Sequence, residues 1–432
     1  MRTLGWLGIV RLGLVQAALG SIVVLTTSTL NRVMVVELAL PAIIPGALVA
    51  LHYGVQVLRP RLGYGSDVGG RRTPWIIGGM AALALGGVGA AGATALMAAS
   101  LAAGLLLAVA AFALVGLGVG AAGTALLTLL AKRVDPARRG PAATVVWLMM
   151  ILGIAVTATL AGKLLDPFSA ARMMAVVSSA AGLALLVSAL AVWGVEGPAT
   201  APVQSAASQP FMQALRDVWA EPQARRFAVF VFVSMLAYSA QELVLEPFAG
   251  AVFALTPGQS TGLTGLHHMG VLVGMALVAA VGALCGRRPG TLRALTIGGC
   301  LGSAAAALAL AVCGLGGPAW PMRQVVVLLG VGNGAFAVSA IGAMIGLAGQ
   351  GRASREGTRM GLWGAAQALA FGAGGILGTG ASDMARHLLG APAPAYAAVF
   401  MAEAAVFLLA ARLAAGVFGQ TAHAPAGLVQ AA

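Results

Sequence analysis

The chain has 432 residues, of which 60% are hydrophobic and 9% are charged, with a mean hydropathy of +0.95 and a formal net charge of +13. This number of charges is too small to cover the surface of a water-soluble fold of this size. The composition therefore indicates an integral membrane protein. The apolar segments recur at about 20 residues, the length of a membrane-crossing helix, whereas barrel strands have roughly ten alternating residues.

In chain order, the apolar segments predict twelve membrane-spanning helices. They lie near residues 11–31, 40–58, 75–97, 102–131, 141–162, 173–195, 226–249, 262–285, 293–316, 323–349, 359–380 and 393–415. The longest polar stretch falls in the middle of the chain. We therefore expect an N-terminal six-helix half at 1–195, a cytoplasmic linker at 196–225, a C-terminal six-helix half at 226–418 and a flexible tail at 419–432.

The basic residues predict the orientation of these helices. With the N-terminus inside, 20 of the 25 Lys and Arg residues fall on the cytoplasmic side, and the exceptions are Arg32, Lys163, Arg172, Arg323 and Arg386. Because cytoplasmic loops hold an excess of Lys and Arg, both termini are expected in the cytoplasm. The charges are dispersed over six loops and both ends, which favours contact with anionic lipids and not with nucleic acid.

The loop between the second and third predicted helices is polar and basic. It carries the pattern Gly63-x-x-x-Asp67-x-x-Gly70-Arg71-Arg72. The glycines permit a tight turn, Asp67 suits a helix N-terminus, and the arginines anchor the chain at the membrane surface. This loop resembles the one between the same two helices of major facilitator transporters. The resemblance implies the major facilitator fold, with this loop as a conformational gate between the two halves.

Polar side chains inside the predicted spans are candidates for function, because they are costly to bury in a membrane. The candidates for contact with a bound molecule are His52, Gln56, Glu246, His267, His268 and Gln367. His52 and Gln56 lie one helical turn apart and share a face, so the imidazole is either a ligand to the magnesium of a chlorin or a hydrogen-bond partner between helices. Glu242 and Glu246 also share a face, at the outer end of the seventh helix, and there they bind a cation, accept hydrogen bonds or face water.

The sequence lacks the compact motifs of several enzyme classes. It contains no Gly-x-Ser-x-Gly, no His-Glu-x-x-His, no phosphate-binding loop and no Cys-x-x-Cys. The three cysteines, Cys285, Cys300 and Cys313, have no metal-binding spacing. These observations predict a protein that is not an enzyme and has no bound metal.

Several longer segments carry a more specific resemblance. They are the runs 31–38 and 50–60, the prolines Pro41 and Pro45, the gate loop, and the segments 241–248 and 361–367. Together they resemble the PucC/LhaA family over about residues 10–415. The matching positions are Asn31, Arg32, Glu37, His52, Arg59, Gly63, Asp67, Arg71, Arg72, Glu246, Pro247, Trp363 and Gln367.

The resemblance implies a bacteriochlorophyll-delivery and assembly factor for light-harvesting complexes, in the inner or intracytoplasmic membrane of a phototrophic bacterium. Its cargo would be bacteriochlorophyll or a precursor, and its partners antenna polypeptides, the pigment synthase and the membrane insertase. His52 is then the favoured pigment ligand. The alternatives are a secondary transporter of a small solute, with Glu242 and Glu246 as coupling groups, and a pigment-free chaperone of antenna helices.

Overall fold

The computed structural model describes residues 4–59, 71–135, 138–196, 216, 219–285, 289–317, 320–348 and 356–419. Within these residues the chain forms twelve long helices, one for each predicted span. They are α1 (Trp6–Glu37), α2 (Ile43–Val55, continued by a 3-10 turn at Gln56–Leu58), α3 (Thr73–Met97), α4 (Leu101–Arg133), α5 (Arg139–Leu164), α6 (Ala170–Val192), α7 (Pro222–Phe253), α8 (Pro257–Cys285), α9 (Pro289–Gly316), α10 (Met322–Ala348), α11 (Glu356–Leu389) and α12 (Pro392–Gly419).

The predicted helical membrane protein is confirmed. Ten of these helices are long and apolar enough to cross a membrane, and the other two are α2 and α11. The side of the membrane on which the termini lie stays a prediction. Most of the expected linker 196–225 and nearly all of the expected tail 419–432 lie outside the described residues.

Helix α1 is longer than the predicted span, which ended near residue 31. It continues to Glu37 through two π-helical turns, Leu25–Thr29 and Val33–Glu37. Arg32 is one of the five basic residues outside the predicted cytoplasmic segments. It lies inside this helix and is only 2% exposed. The burial is tolerated because the guanidinium pairs with the Glu37 carboxylate and donates to the carbonyl oxygen of Leu255 at 2.6 Å.

Each half has its own apolar core. In the first half it includes Ile76, Leu83 and Val115, and in the second half it includes Phe227 and Phe336. The halves meet where α2 packs on α11 and α5 packs on α8. These two contacts are equivalent under the exchange of one half for the other, since α2 and α8 are the second helices of their halves and α5 and α11 the fifth.

Glycines spaced by four residues allow some helices to approach closely. A Cβ atom on Gly330 would lie 2.1 Å from the carbonyl oxygen of His267, and one on Gly334 would lie 2.1 Å from that of Val271. The backbones of α10 and α8 are therefore in direct contact along this face.

Candidate functional site

The histidine that the sequence favoured lies near the end of α2. His52 is 1% exposed, and its Nε2 lies 3.0 Å from Nε2 of Gln56 on the same face of the helix. Gln56 in turn accepts a hydrogen bond from Arg59, while Nδ1 of His52 has no partner among the described residues. Because Nε2 faces an amide, it can bind a metal only if the Gln56 side chain turns away.

A row of rings runs from His52 across the interface between the halves. The centroid distances are 4.6 Å from His52 to Tyr53, 5.1 Å from Tyr53 to Phe371, 5.9 Å from Phe371 to Tyr238 and 6.3 Å from Tyr238 to His267. A last step of 5.0 Å reaches His268. The row draws on α2, α11, α7 and α8, so it joins both halves. We call these six side chains the ring row.

The second group contains Glu246, which lies in α7 and is fully buried. Its Oε1 accepts a hydrogen bond of 2.5 Å from Thr264, and its Oε2 accepts one of 3.3 Å from Thr261. The Thr261 hydroxyl is also 3.1 Å from the hydroxyl of Thr29 in the polar part of α1. A buried carboxylate of the second half is thus linked by hydroxyl groups to the first half.

His267 belongs to a polar network within the second half. Its Nε2 lies 3.1 Å from Nδ2 of Asn333, which also donates to Oε1 of Gln241 at 2.8 Å. Oδ1 of Asn333 accepts from Ser303 at 2.8 Å. Four helices, α7 to α10, therefore meet at Asn333. The neighbouring His268 instead places Nδ1 3.0 Å from the carbonyl oxygen of Thr264, the residue whose hydroxyl binds Glu246.

Two of the family-motif residues are brought together by a backbone requirement. Pro247 lies inside α7 and has no N–H group, so the carbonyl of Leu243, four residues earlier, lacks its helical donor. Nδ2 of Asn31 in α1 donates to that oxygen at 2.7 Å. The proline and the asparagine thus form one structural unit across the interface.

The remaining candidates on α7 and α11 have different surroundings. Trp363 is buried, donates from Nε1 to the carbonyl oxygen of Ala224 at 3.1 Å and stacks edge-on against Phe227 at 4.7 Å, which anchors α11 on α7. Gln367 is half-buried, with Nε2 4.0 Å from the sulfur of Met235. Glu242 is also half-buried, unlike Glu246, so the two carboxylates predicted to share a face have different environments.

The predicted gate loop is described only at its end. Gly63, Asp67 and Gly70 lie outside the described residues, while Arg71 is exposed and Arg72 is buried. Within the described chain, the acid at the N-terminus of α3 is Glu196, whose carboxylate accepts hydrogen bonds from the backbone N–H groups of Arg72 and Thr73, the latter at 2.7 Å. Burial acts to raise the pKa of Glu196, but these hydrogen bonds and the charge of Arg72 outweigh it and lower the pKa.

Two aspartates form equivalent caps at the end of the molecule opposite the termini. Asp166, after α5, accepts from the Thr256 hydroxyl at 2.6 Å and from the N–H of Gly258 at 3.2 Å, where α8 begins. Asp383, near the end of α11, accepts from the N–H groups of Ala42 and Ile43 at 2.9 and 2.8 Å, where α2 begins. Each half thus caps a helix of the other half, and we call Asp166 and Asp383 the cross-caps.

This architecture is the major facilitator fold. Among solved structures, a bacterial homologue of the human drug peptide transporters PepT1 and PepT2 superposes with a TM-score of 0.71 at 13% identity, covering 96% of this chain and 98% of the other. The nucleoside transporter NupG superposes with a TM-score of 0.69 at 13% identity, covering 95% and 100%. At such identities the likeness concerns the fold alone.

The chain belongs to the PucC family, because the family described as PUCC protein matches residues 29–422. A relative in Rhodobacter capsulatus, named bacteriochlorophyll synthase 44.5 kDa chain, is 53% identical over 416 residues, which are 96% of each chain. The uncharacterized protein in the puhA-bchM intergenic region of the same organism is 30% identical over 91% of this chain and 86% of its own length. Protein PucC of Cereibacter sphaeroides is 29% identical over 93% and 90%. The resemblance drawn from the sequence is confirmed.

One expectation is wrong. The sequence predicted a protein that is not an enzyme, but the relative with 53% identity carries the name of a synthase chain, which points to an enzyme-associated role. The absence of the enzyme motifs from the sequence does not bear on such a role, because those motifs belong to complete catalytic centres of other enzyme classes. A chain that works as part of a membrane-bound enzyme need contain none of them.

Several residues that build the interface were not selected from the sequence. Tyr238 and Phe371 of the ring row, and both cross-caps, lie far apart along the chain from their partners. For Thr261 and Thr264 the sequence offered one indication of a site, because two hydroxyl groups three residues apart lie on the same face of a helix. That this face contacts Glu246 and Thr29 is seen only in the folded chain.

Proposed function

We propose that this protein holds bacteriochlorophyll or a precursor between its two halves and hands it to nascent antenna polypeptides. We further propose that it does so in association with the pigment synthase and next to the membrane insertase, in the inner or intracytoplasmic membrane. The proposal rests on the family and on the composition of the interface, and it names the cargo by its chemistry: a flat, largely apolar macrocycle with a central metal.

The observation that carries the proposal is the ring row. Six rings from both halves follow one another at centroid distances between 4.6 and 6.3 Å, and Tyr53, Tyr238 and Phe371 are only partly buried. The rings meet one another tilted or edge-on, at interplanar angles from 43° to 81°, so another flat ring system would contact the exposed parts of these three side chains. The row also starts and ends on imidazoles, which are good ligands for a metal at the centre of such a ring.

The association with an enzyme rests on a relative. The R. capsulatus protein named as the 44.5 kDa chain of bacteriochlorophyll synthase shares 53% of its residues with this chain along almost its full length. A carrier that receives a membrane-soluble pigment works best beside the enzyme that completes it, since free diffusion of the product in the bilayer would dilute it. We therefore expect the chain to copurify with a synthase activity.

The test is to purify the protein in mild detergent from a pigment-producing phototroph and to record its absorption spectrum and extracted pigments. We expect stoichiometric pigment in the wild type. Phe371→Leu removes the ring that joins Tyr53 to Tyr238 and should lower the pigment content severalfold. Phe232→Leu, the same change on α7 away from the row, should leave the pigment content unchanged.

Histidine variants address the metal ligand separately. His52→Ala should reduce pigment retention and leave membrane insertion intact, with His387→Ala, at an exposed histidine near the end of α11, as the matched control. Unchanged retention in His52→Ala removes this residue from the site but leaves the ring row standing. A wild type that carries no pigment, also after chemical crosslinking before extraction, would refute the carrier role itself.

A secondary transporter is the second candidate, and the burial of Glu246 supports it. A carboxylate fully enclosed in the membrane and bound by two hydroxyl groups is a common arrangement for coupling to a proton or cation. Counterflow in proteoliposomes discriminates between the candidates. Uptake of a solute that Glu246→Gln abolishes would favour the transporter.

A further inference from the structure

A groove of about 620 Å³ lies on the side of the first half that faces the membrane. Three helices line it: α1 contributes Ala17 and Ser21, α5 contributes Gly153 and Thr157, and α6 contributes residues between Arg172 and Val187. Its rim is exposed and aliphatic, with Leu160 at 54% and Leu183 at 62% exposure. The groove is separate from the ring row, which lies on α2, α7, α8 and α11.

The floor of the groove is suited to a chain and not to a ring. Small and aliphatic residues make up most of its lining, including Ala175, Ser179 and Ala180 of α6, and no aromatic side chain is among the described residues that line it. The Thr157 hydroxyl donates to the Ser21 hydroxyl at 2.7 Å, and Ser21 donates to the carbonyl oxygen of Ala17 at 2.9 Å, which leaves the floor without a free donor from this pair. Along α6, 15 residue steps give a length of roughly 22 Å.

The groove has positive charge near both ends, and the two ends differ in what that charge already binds. Near the start of α1, Arg11 donates to the carbonyl oxygens of Ala191 and Leu190 at 3.0 and 3.2 Å, so these donors are occupied by the end of α6. Arg172 is the only charged residue among the described residues that line it, and Lys163 is exposed next to the lining residue Leu164. Both lie at the end opposite the chain termini. They are two of the five basic residues that fall outside the predicted cytoplasmic segments, where Lys and Arg are usually concentrated. An anion bound at this end would account for their position.

We propose that this groove binds one anionic phospholipid of the surrounding bilayer, with an acyl chain along α6 and the phosphate at Arg172. The hydrocarbon core of a bilayer is about 30 Å thick, so one leaflet accounts for about 15 Å of it. A groove of roughly 22 Å is therefore long enough for the whole acyl chain of a lipid from one leaflet. One N–H of Arg172 donates to the carbonyl oxygen of Asp166, and the guanidinium has further donors that can face the phosphate. The bound lipid thus lies beside a cross-cap.

The test uses native mass spectrometry of the full chain after incubation with equal amounts of phosphatidylglycerol and phosphatidylcholine. The wild type should retain one phosphatidylglycerol ahead of phosphatidylcholine. Ala175→Phe fills the groove from an exposed position and should abolish the retention, whereas Ala110→Phe, at an exposed position of α4, should not. Arg172→Gln should keep a bound lipid but reduce the preference for phosphatidylglycerol about fivefold, and Arg172→Lys should restore most of it.

Three results would overturn the proposal. One is equal retention of the two lipids by the wild type. Another is the survival of the bound phosphatidylglycerol in Ala175→Phe at the level of Ala110→Phe. The third is the loss, in Ala175→Phe, of a copurifying membrane polypeptide while the lipid remains, which would assign the groove to a protein helix. None of these results bears on the pigment content, so they are distinguishable from a failure of the proposed function.

Discussion

Asn31 lies opposite Pro247 and supplies the hydrogen bond that this proline removes from its own helix. The distance of 2.7 Å joins Nδ2 of Asn31 to the carbonyl oxygen of Leu243, the acceptor that an N–H at position 247 would otherwise serve. In a membrane, where water is absent, a freed carbonyl needs a partner from a neighbouring helix. The pair therefore joins α1 to α7 across the two halves.

This relationship predicts a non-additive pair of substitutions. Asn31→Ala should lower the free energy of unfolding by about 1 kcal/mol, the order measured for hydrogen bonds between membrane helices. In a Pro247→Ala background the helix restores its own N–H donor, so the same asparagine substitution should cost much less. Thermal unfolding of the four proteins of the cycle in detergent measures the coupling. If Asn31→Ala lowers the free energy of unfolding equally in both backgrounds, the asparagine does not compensate for the hydrogen bond that Pro247 removes from the Leu243 carbonyl.

The network around Asn333 predicts a graded loss of stability. Asn333 has contacts with Gln241, His267 and Ser303, so Asn333→Ala should cost about 2 kcal/mol at roughly 0.6 kcal/mol for each contact. Ser339→Ala is the matched control, because the Ser339 hydroxyl is buried on the same helix without a partner in the described part of the chain. If both variants unfold at the same denaturant concentration, the network contributes no stability.

The sequence predicted the membrane architecture well, because a helix that crosses a bilayer must be about 20 apolar residues long whatever its neighbours are. It failed at the end of α1, where Arg32 is buried by partners at Glu37 and Leu255, since a hydropathy pattern takes no account of such partners. It named His52, Gln56 and Glu246, whose polarity inside a span is visible, but it could not find the row from Tyr53 to Tyr238. Aromatic residues are ordinary in a membrane span, and only the contact of the two halves brings these rings together.

Glu196 predicts a pH dependence at the start of α3. Its pKa is lowered, so the stabilisation it gives is present above the ordinary carboxyl value and is lost only as the pH falls through the lower value in the folded protein. The protection of the Thr73 amide, which is its exchange rate compared with the intrinsic rate at the same pH, should therefore be insensitive to this group near neutral pH and decrease in acid. Glu196→Ala should speed this exchange about fivefold at pH 7, the effect of losing a cap of about 1 kcal/mol. A variant that exchanges like the wild type at pH 7 would show that the carboxylate does not cap the helix.

The cross-caps predict which end of the molecule is held closed. Asp166 and Asp383 each accept two hydrogen bonds from groups at the start of a helix of the other half, where the helix dipole also favours negative charge. If each of the four bonds contributes roughly 0.6 kcal/mol, removing both carboxylates costs about 2.4 kcal/mol and shifts the ratio of open to closed forms about 60-fold.

Spin labels at Ala99 and Ala391, both exposed at this end, measure the opening in a Cys285→Ser background. The double variant Asp166→Ala with Asp383→Ala should populate a longer distance that the wild type lacks, and each single variant should populate it less, because each retains the other cap. Met384→Ala, an exposed neighbour of Asp383, should leave the distance distribution unchanged. An unaltered distribution in the double variant would mean that the packing of α2 on α11 and of α5 on α8 closes this end without the carboxylates.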